Sequence, residues 1–89
     1  MEYMKADLGV VDAGSTVVVE LEGTEANVYL LDPLSLRAYE SGRQYRYYGG
    51  HYNRSPVAIP VPSTGSWFVV VDLGGFAGRV AAAVRVVAA

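Results

Sequence analysis

One alternating stretch decides the fold, and it reads Thr16-Val17-Val18-Val19-Glu20-Leu21-Glu22. Val17, Val19 and Leu21 fall on one face of an extended chain, and Thr16, Glu20 and Glu22 fall on the other. This pattern is typical of an antiparallel strand that is buried on one side. Six further stretches predict strands, at residues 3–8, 26–31, 44–48, 55–61, 67–73 and 79–87. Such short strands at intervals of about ten residues predict an all-β fold, a jelly-roll-like antiparallel β-sandwich of about 7–8 strands.

The patterns also predict where individual strands lie. The turn 23–25 predicts that residues 26–31 pair with residues 16–22 as a hairpin. Prolines at both ends of 55–61 favour the edge of a sheet. Inward faces are expected for two strands, formed by Trp67, Val69 and Val71 in one and by Val80, Ala82, Val84 and Val86 in the other.

One short helix is expected between residues 32 and 42. Asp32 supplies an N-cap oxygen, and Pro33 occupies the first helical position, where its missing N–H costs nothing. Gly42 is placed to end the helix in a left-handed conformation. Leu34, Arg37 and Ala38 are expected to share one face of it.

Length and composition exclude several classes of protein. The 89 residues, 9.5 kDa, predict a single domain over 1–89. No cysteine is present, which excludes disulfides, cysteine-ligated zinc and thiol nucleophiles, and the single histidine excludes multi-histidine metal sites. We expect no metal and no cofactor. Neither a secretory signal nor a membrane-spanning run is evident, so a cytoplasmic protein with no membrane partner is expected.

Charge is distributed unevenly along the chain. Residues 1–42 hold eight acidic and two basic residues, a net charge of −6, whereas residues 43–89 hold five arginines and one aspartate, a net charge of +4. Between Arg43 and Arg54 there are three arginines, the histidine and no acid. This segment can therefore attract an anion despite the negative total.

The same segment is the candidate binding site. Tyrosine offers a stacking surface, arginine a planar cation, and glycine a close approach of backbone N–H groups, which together suit an anionic small molecule, a nucleotide or a single strand of nucleic acid. The segment 49–54 is expected to be a loop. The candidate ligand-binding residues are Arg43, Arg46, Tyr48, Gly49, Gly50, His51, Tyr52 and Arg54.

A purely structural interpretation of this segment is also open. Tyr45 and Tyr47 would then be core or cross-strand residues, Gly49-Gly50 a turn, and the arginines partners of acids in the first half of the chain.

Catalysis has little support in the sequence. His51 with Asp72 and Ser55 is the one conceivable triad, and no nucleophile-elbow sequence accompanies it, so we expect no enzyme and no catalytic residue.

The glycine-rich segment 74–78 leads into a strand rather than a helix, which indicates a connection rather than a phosphate loop. Trp67 is expected to be a core residue.

The sequence resembles a small bacterial family of uncharacterised domains, some of which are joined to TIR domains. The strongest matching segments are Arg46-Tyr47-Tyr48-Gly49-Gly50-His51, Ser55-Pro56-Val57, Gly65 with Trp67, Val71-Asp72-Leu73-Gly74-Gly75, and Gly78-Arg79 with residues 80–86. The resemblance implies an all-β sandwich with no established activity, and a TIR-associated protein partner by analogy. Ser66 stands where typical members have a histidine, so a site shared by two histidines is not expected here.

Two functions are therefore predicted as alternatives. The first is a non-catalytic binding or sensing module that uses the candidate residues. The second is a protein-interaction or assembly module without a small ligand, which binds through exposed strand edges or through the charge contrast between its halves. The sequence leaves the oligomeric state open.

Overall fold

A computed structural model describes residues 3–89 as seven strands and one helix. The elements are β1 (Tyr3–Val11), β2 (Thr16–Gly23), β3 (Ala26–Leu31), α1 (Pro33–Glu40), β4 (Tyr48–Tyr52), β5 (Val57–Pro60), β6 (Gly65–Asp72) and β7 (Val80–Val87). Every strand pairing is antiparallel. The predicted all-β fold with one short helix is confirmed.

The strands form two sheets, a four-stranded sheet in the order β1-β6-β3-β4 and a three-stranded sheet in the order β5-β2-β7. β1 pairs with β6, β2 with β5 and β3 with β4, so the chain folds back on itself and the first three strands pair with the next three in reverse order. The resulting ribbon of paired strands passes from one sheet to the other, which is the arrangement of a jelly roll. β7 is added beside β2, and β5 lies at a sheet edge as its prolines predicted.

The main core lies between the two sheets. Val17 and Val19 of β2 face Val28 and Leu30 of β3 there. Trp67, at 4% exposure, is a core residue as expected, and Val69 and Val71 point inward with it. On β7, Val80, Ala82 and Val84 pack against this core, whereas Val86 remains 41% exposed.

The pairing of β2 with β3 as a hairpin was a wrong prediction, because the two strands lie in different sheets. Residues 23–25 carry the chain across the sandwich, where the N–H and hydroxyl of Thr24 both donate to the carbonyl oxygen of Arg79. The apolar faces of β2 and β3 meet through the core. Alternation identified the buried face of each strand correctly but not its neighbour.

α1 covers the outer face of the four-stranded sheet. Its N-cap is Asp32, whose Oδ1 accepts from the N–H of Ser35 at 2.7 Å, and Gly42 follows its end with φ of +72°. The predicted face was wrong, since Leu34 is 74% exposed and the buried residues are Ser35 and Leu36. Leu36 is buried because it packs with Leu31 and Val70 of the sheet beneath.

The predicted strand 44–48 and loop 49–54 were also wrong. Residues 44–47 form no strand, and β4 occupies Tyr48–Tyr52 instead. Gly49 has φ of +125°, and a Cβ built on it would lie 2.1 Å from the carbonyl oxygen of Val28. Glycine is therefore required here so that β4 can approach β3, and the glycine pair belongs to a strand rather than to an open loop.

Candidate functional site

The candidate binding segment 43–54 does not gather at one place. β4 forms its middle and pairs with β3 from Leu30↔Tyr48 to Ala26↔Tyr52. These two tyrosines are separated by about 13 Å at the usual rise of a strand. Arg46 and Tyr48 therefore lie at one end of the sheet, and His51, Tyr52 and Arg54 lie at the other.

Arg46 and Tyr48 line a cleft at the first end, which we call the Arg46 cleft. Its volume is about 290 Å³. The ring of Tyr48 is 45% exposed and stands edge-on to Trp67, with 5.9 Å between ring centroids and 76° between ring planes. Trp67 is held by a hydrogen bond from its Nε1 to the carbonyl oxygen of Ser63 at 2.9 Å. The full lining is Asp32, Pro33, Arg46, Tyr48, Ser63, Thr64, Gly65, Ser66 and Trp67.

Charge in the Arg46 cleft is of both signs. The arginine is exposed, and within residues 3–89 no carboxylate lies within 4.0 Å of its guanidinium. The carboxylate in the cleft is Asp32, which caps α1 through Oδ1, and its Oδ2 accepts no hydrogen bond from the part of the chain that the structure describes. The cleft thus offers a cation, a carboxylate acceptor and the hydroxyls of a serine-rich turn.

The other arginines of the segment are exposed as well. Arg43 follows α1, where its N–H donates to the carbonyl oxygen of Ala38 at 2.8 Å. Across the described chain, the acid–base contacts within 4.0 Å are Lys5–Glu40 and His51–Glu25, and the second is an ion pair only when the imidazole is protonated. Among these residues, therefore, no arginine of the segment forms a salt bridge with an acid from the first half of the chain.

Tyr45 and Tyr47 have a structural role. They pack with Tyr29 of β3 and Tyr39 of α1 on the outer face of the four-stranded sheet, with ring centroids 4.6 to 6.3 Å apart. Burial raises the pKa of Tyr29 to about 12, with smaller contributions from Tyr45 and Asp72. This matches the structural interpretation of the two tyrosines.

His51 belongs to a row of hydrogen bonds at the second end of the sheet. Its Nδ1 lies 2.9 Å from Oδ1 of Asn27, and Nδ2 of Asn27 donates to Oδ1 of Asp72 at 2.8 Å. Asp72 is 3% exposed and accepts also from the hydroxyl of Tyr39 at 2.5 Å and from the N–H of Gly74 at 2.9 Å. On its other side, Nε2 of His51 lies 3.4 Å from Oε1 of Glu25.

Tyr52 and Arg54 line a separate, smaller cleft of about 90 Å³ near Thr24 and Glu25. Gly49 and Gly50 lie between the two clefts within β4, where they serve strand pairing.

A cleft of about 330 Å³ opens between β1, β6 and β7. The acid in this cleft is Asp72, which already accepts hydrogen bonds from three donors. The one cation in its described lining is Arg79.

No arrangement for nucleophilic catalysis is formed by the residues considered for it. Oγ of Ser55 accepts from the N–H of Leu21 at 2.8 Å, while His51 is bonded to Asn27. Hydrogen bonds within residues 3–89 do not join His51 directly to either Ser55 or Asp72. The same residues contain no group of three or more histidine or acidic side chains able to hold a metal ion.

Several residues of the Arg46 cleft were missed by the sequence analysis. Asp32 was predicted only as a helix cap, and Ser63, Thr64 and Ser66 were not among the candidate binding residues. The serine-rich turn directly before Trp67 was the available signal, because hydroxyls beside an aromatic residue are common in binding sites. No local sequence pattern predicts that this turn lies beside Arg46 in the fold.

Comparison with protein families assigns the chain. A family model described as a domain of unknown function, DUF1883, matches residues 1–89. The chain belongs to the DUF1883 family. Membership of an uncharacterised domain family is thus confirmed, whereas the joining of some DUF1883 members to TIR domains stays a prediction. No curated protein and no solved structure matches it. None of its described helices is long and apolar enough to cross a membrane.

Proposed function

We propose that this DUF1883 domain is a non-catalytic binding or sensing module, and that the Arg46 cleft holds a mononucleotide-like anionic ligand. The observation that carries the proposal is the position of Arg46, an exposed guanidinium without a carboxylate partner among the described residues, beside the half-exposed ring of Tyr48. A planar cation next to an aromatic surface suits a phosphate attached to a flat ring.

Asp32 narrows the ligand class. A simple anion would be attracted by Arg46 and repelled by Asp32 in the same cleft. A nucleotide avoids this conflict, because its phosphate can contact the guanidinium while N–H groups of its base donate to the carboxylate. Ser63 and Ser66 supply hydroxyls for the sugar, whereas Oγ1 of Thr64 already accepts from the N–H of Ala13 at 2.9 Å.

Size supports a single nucleotide. Small-molecule sites usually have volumes of about 300–1,000 Å³, and the cleft, at about 290 Å³, lies at the lower limit of that range. A dinucleotide cofactor would extend beyond it.

A thermal-shift screen tests the proposal. The probes are nucleoside monophosphates, cyclic nucleotides, nicotinamide dinucleotides, sugars, short single-stranded oligonucleotides and inorganic phosphate, each at low and at moderate salt. A ligand at about 100 times its Kd stabilises the folded state by about 2.7 kcal/mol, which raises Tm by roughly 10–20 °C in a domain of this size. We expect a salt-resistant shift with a mononucleotide.

Matched charge reversals locate the site. Arg46→Glu should abolish the shift, whereas Arg43→Glu, which makes the same change at an exposed position outside the cleft lining, should preserve it. Arg54→Glu, at the second end of β4, should preserve it too. A shift that survives Arg46→Glu, or the absence of a shift with every probe, would overturn the proposed site.

A further inference from the structure

β7 is a sheet edge without the features that usually prevent association. Edge strands are commonly protected by charges, prolines, bulges or short length. β1 carries Lys5, Asp7 and a register shift, β4 has five residues, and β5 has four residues ending in a proline. β7 pairs with β2 in continuous register over eight residues, contains no proline and carries one charge, Arg85.

The sandwich is also open beside β7. A cleft of about 280 Å³ lies between β7 and β1, and its lining is apolar apart from Lys5. Val86 and Val87 remain 41% and 44% exposed at the end of the strand. Apolar surface at a free edge favours a partner that continues the sheet.

Charges on the outer face of this sheet indicate which partner fits. Val80, Ala82 and Val84 face the core, so Ala81, Ala83 and Arg85 face outward. Ala83 lies beside Glu20 of β2, whereas Arg85 lies beside Val18. Neither Glu20 nor Arg85 forms a salt bridge with another residue in the range 3–89.

We propose that two copies of this chain associate through β7, antiparallel about a two-fold axis at Val84. The three-stranded sheets then join into one sheet of six strands. In this register Arg85 lies opposite Ala83 of the partner subunit. On the far side of that alanine, in the adjacent β2 strand, lies Glu20 of the partner subunit. That glutamate is two strand spacings away, about 10 Å. The small alanine leaves room for the arginine to extend over it and reach the carboxylate.

A second copy is favoured because the edge is complementary to itself. The two-fold axis forms the Arg85–Glu20 pair twice and keeps inward residues opposite inward residues. Val84 meets Val84 of the partner subunit, and Val86 meets Ala82 of the partner subunit, so the exposed valine is covered. This inference is independent of the proposed ligand site, because that site lies beside β4 in the four-stranded sheet, whereas β7 belongs to the three-stranded sheet.

Sedimentation equilibrium over a range of concentrations tests the proposal. We expect a mass that rises from 9.5 kDa to twice that value as concentration increases. Arg85→Glu and Glu20→Arg should each raise the dimer Kd by about tenfold or more, because each places like charges together twice in the dimer. Arg43→Glu, which makes the same change of charge as Arg85→Glu at a position outside β2 and β7, is the control and should leave Kd unchanged.

Mixing the two variants separates loss of association from loss of folding. In a dimer of one Arg85→Glu copy and one Glu20→Arg copy, both charge pairs are again opposite in sign. We expect the equimolar mixture to recover dimer at concentrations at which each variant alone is monomeric. A wild-type chain that stays monomeric at all concentrations, a dimer insensitive to Arg85→Glu, or a mixture that remains monomeric would each overturn the proposal.

Discussion

Asn27 donates from its side-chain Nδ2 to Oδ1 of Asp72 at 2.8 Å, and this bond determines the tautomer of His51. A carboxylate can only accept, so the amide of Asn27 has one orientation and its oxygen faces Nδ1 of His51 at 2.9 Å. Nδ1 must therefore carry the proton. In the neutral imidazole, Nε2 then carries no proton, and its 3.4 Å approach to Oε1 of Glu25 is neither a hydrogen bond nor an ion pair.

We predict that neutral His51 is in the Nδ1–H tautomer. Free histidine favours the Nε2–H tautomer, so the two are distinguishable by the ¹⁵N chemical shifts of the ring nitrogens in a long-range ¹H–¹⁵N NMR spectrum. Asn27→Ala removes the acceptor and should return His51 to the Nε2–H tautomer. An Nε2–H signal from neutral His51 in the wild-type protein would contradict the orientation that Asp72 imposes on Asn27.

Asp72→Asn should destabilise the domain although the two side chains have nearly the same shape. Asn27, Tyr39 and Gly74 all donate to Asp72, and an amide nitrogen would face at least one of these donors. A buried donor left without an acceptor costs about 1–3 kcal/mol. Urea unfolding measures the difference. Asp7→Asn, which makes the same change at an exposed position, should cost much less. Equal losses at the two positions would show that the hydrogen bonds of Asp72 contribute little.

Gly49→Ala and Gly50→Ala form a matched pair of substitutions in β4. At Gly49 the new methyl group would collide with the carbonyl oxygen of Val28, and the positive φ would strain the backbone. At Gly50 nothing lies within 4 Å of the added Cβ. We expect Gly49→Ala to lower the free energy of unfolding by about 1–3 kcal/mol or more, and Gly50→Ala to change it little. Comparable stability of the two variants in urea would show that β4 lies farther from β3.

The sequence predicted the fold class well because alternation reports which face of a strand is buried. Val17, Val19 and Leu21 were assigned to the core side from the pattern alone, and the structure agrees. Alternation does not say which strand lies alongside, and for that reason β3 was paired with β2. The path of residues 23–25 across the sandwich depends on Thr24 contacting Arg79, far away in the chain.

The candidate site was predictable only in part. Arg46 and Tyr48 stood out by composition, and both line the cleft. Gly49, Gly50 and His51 resembled a loop because glycine disfavours strands, but their pairing with β3 overrides that preference. Ser63 and Thr64 reach the cleft because β6 and β3 are neighbours, a relationship that no local pattern contains.

Stability should fall at high pH because the tyrosines on the outer face hold their protons more tightly when folded. The pKa of Tyr29 is raised to about 12, chiefly by burial. The pKa of Tyr39 is raised above its ordinary value by burial and by its hydrogen bond to Asp72, and that of Tyr3 by its hydrogen bond to Glu40. In the unfolded chain these phenols ionise near pH 10.

The sign follows from proton binding. Above pH 10 the unfolded chain binds fewer protons than the folded one, so the free energy of unfolding decreases as pH rises towards about 12. The contribution of these groups is complete below pH 10. Urea unfolding at a series of alkaline pH values should show this decline, and Tyr29→Phe should make it less steep by removing one titrating group. A free energy of unfolding that stays constant as pH rises above 10 would contradict the raised pKa values of these phenols.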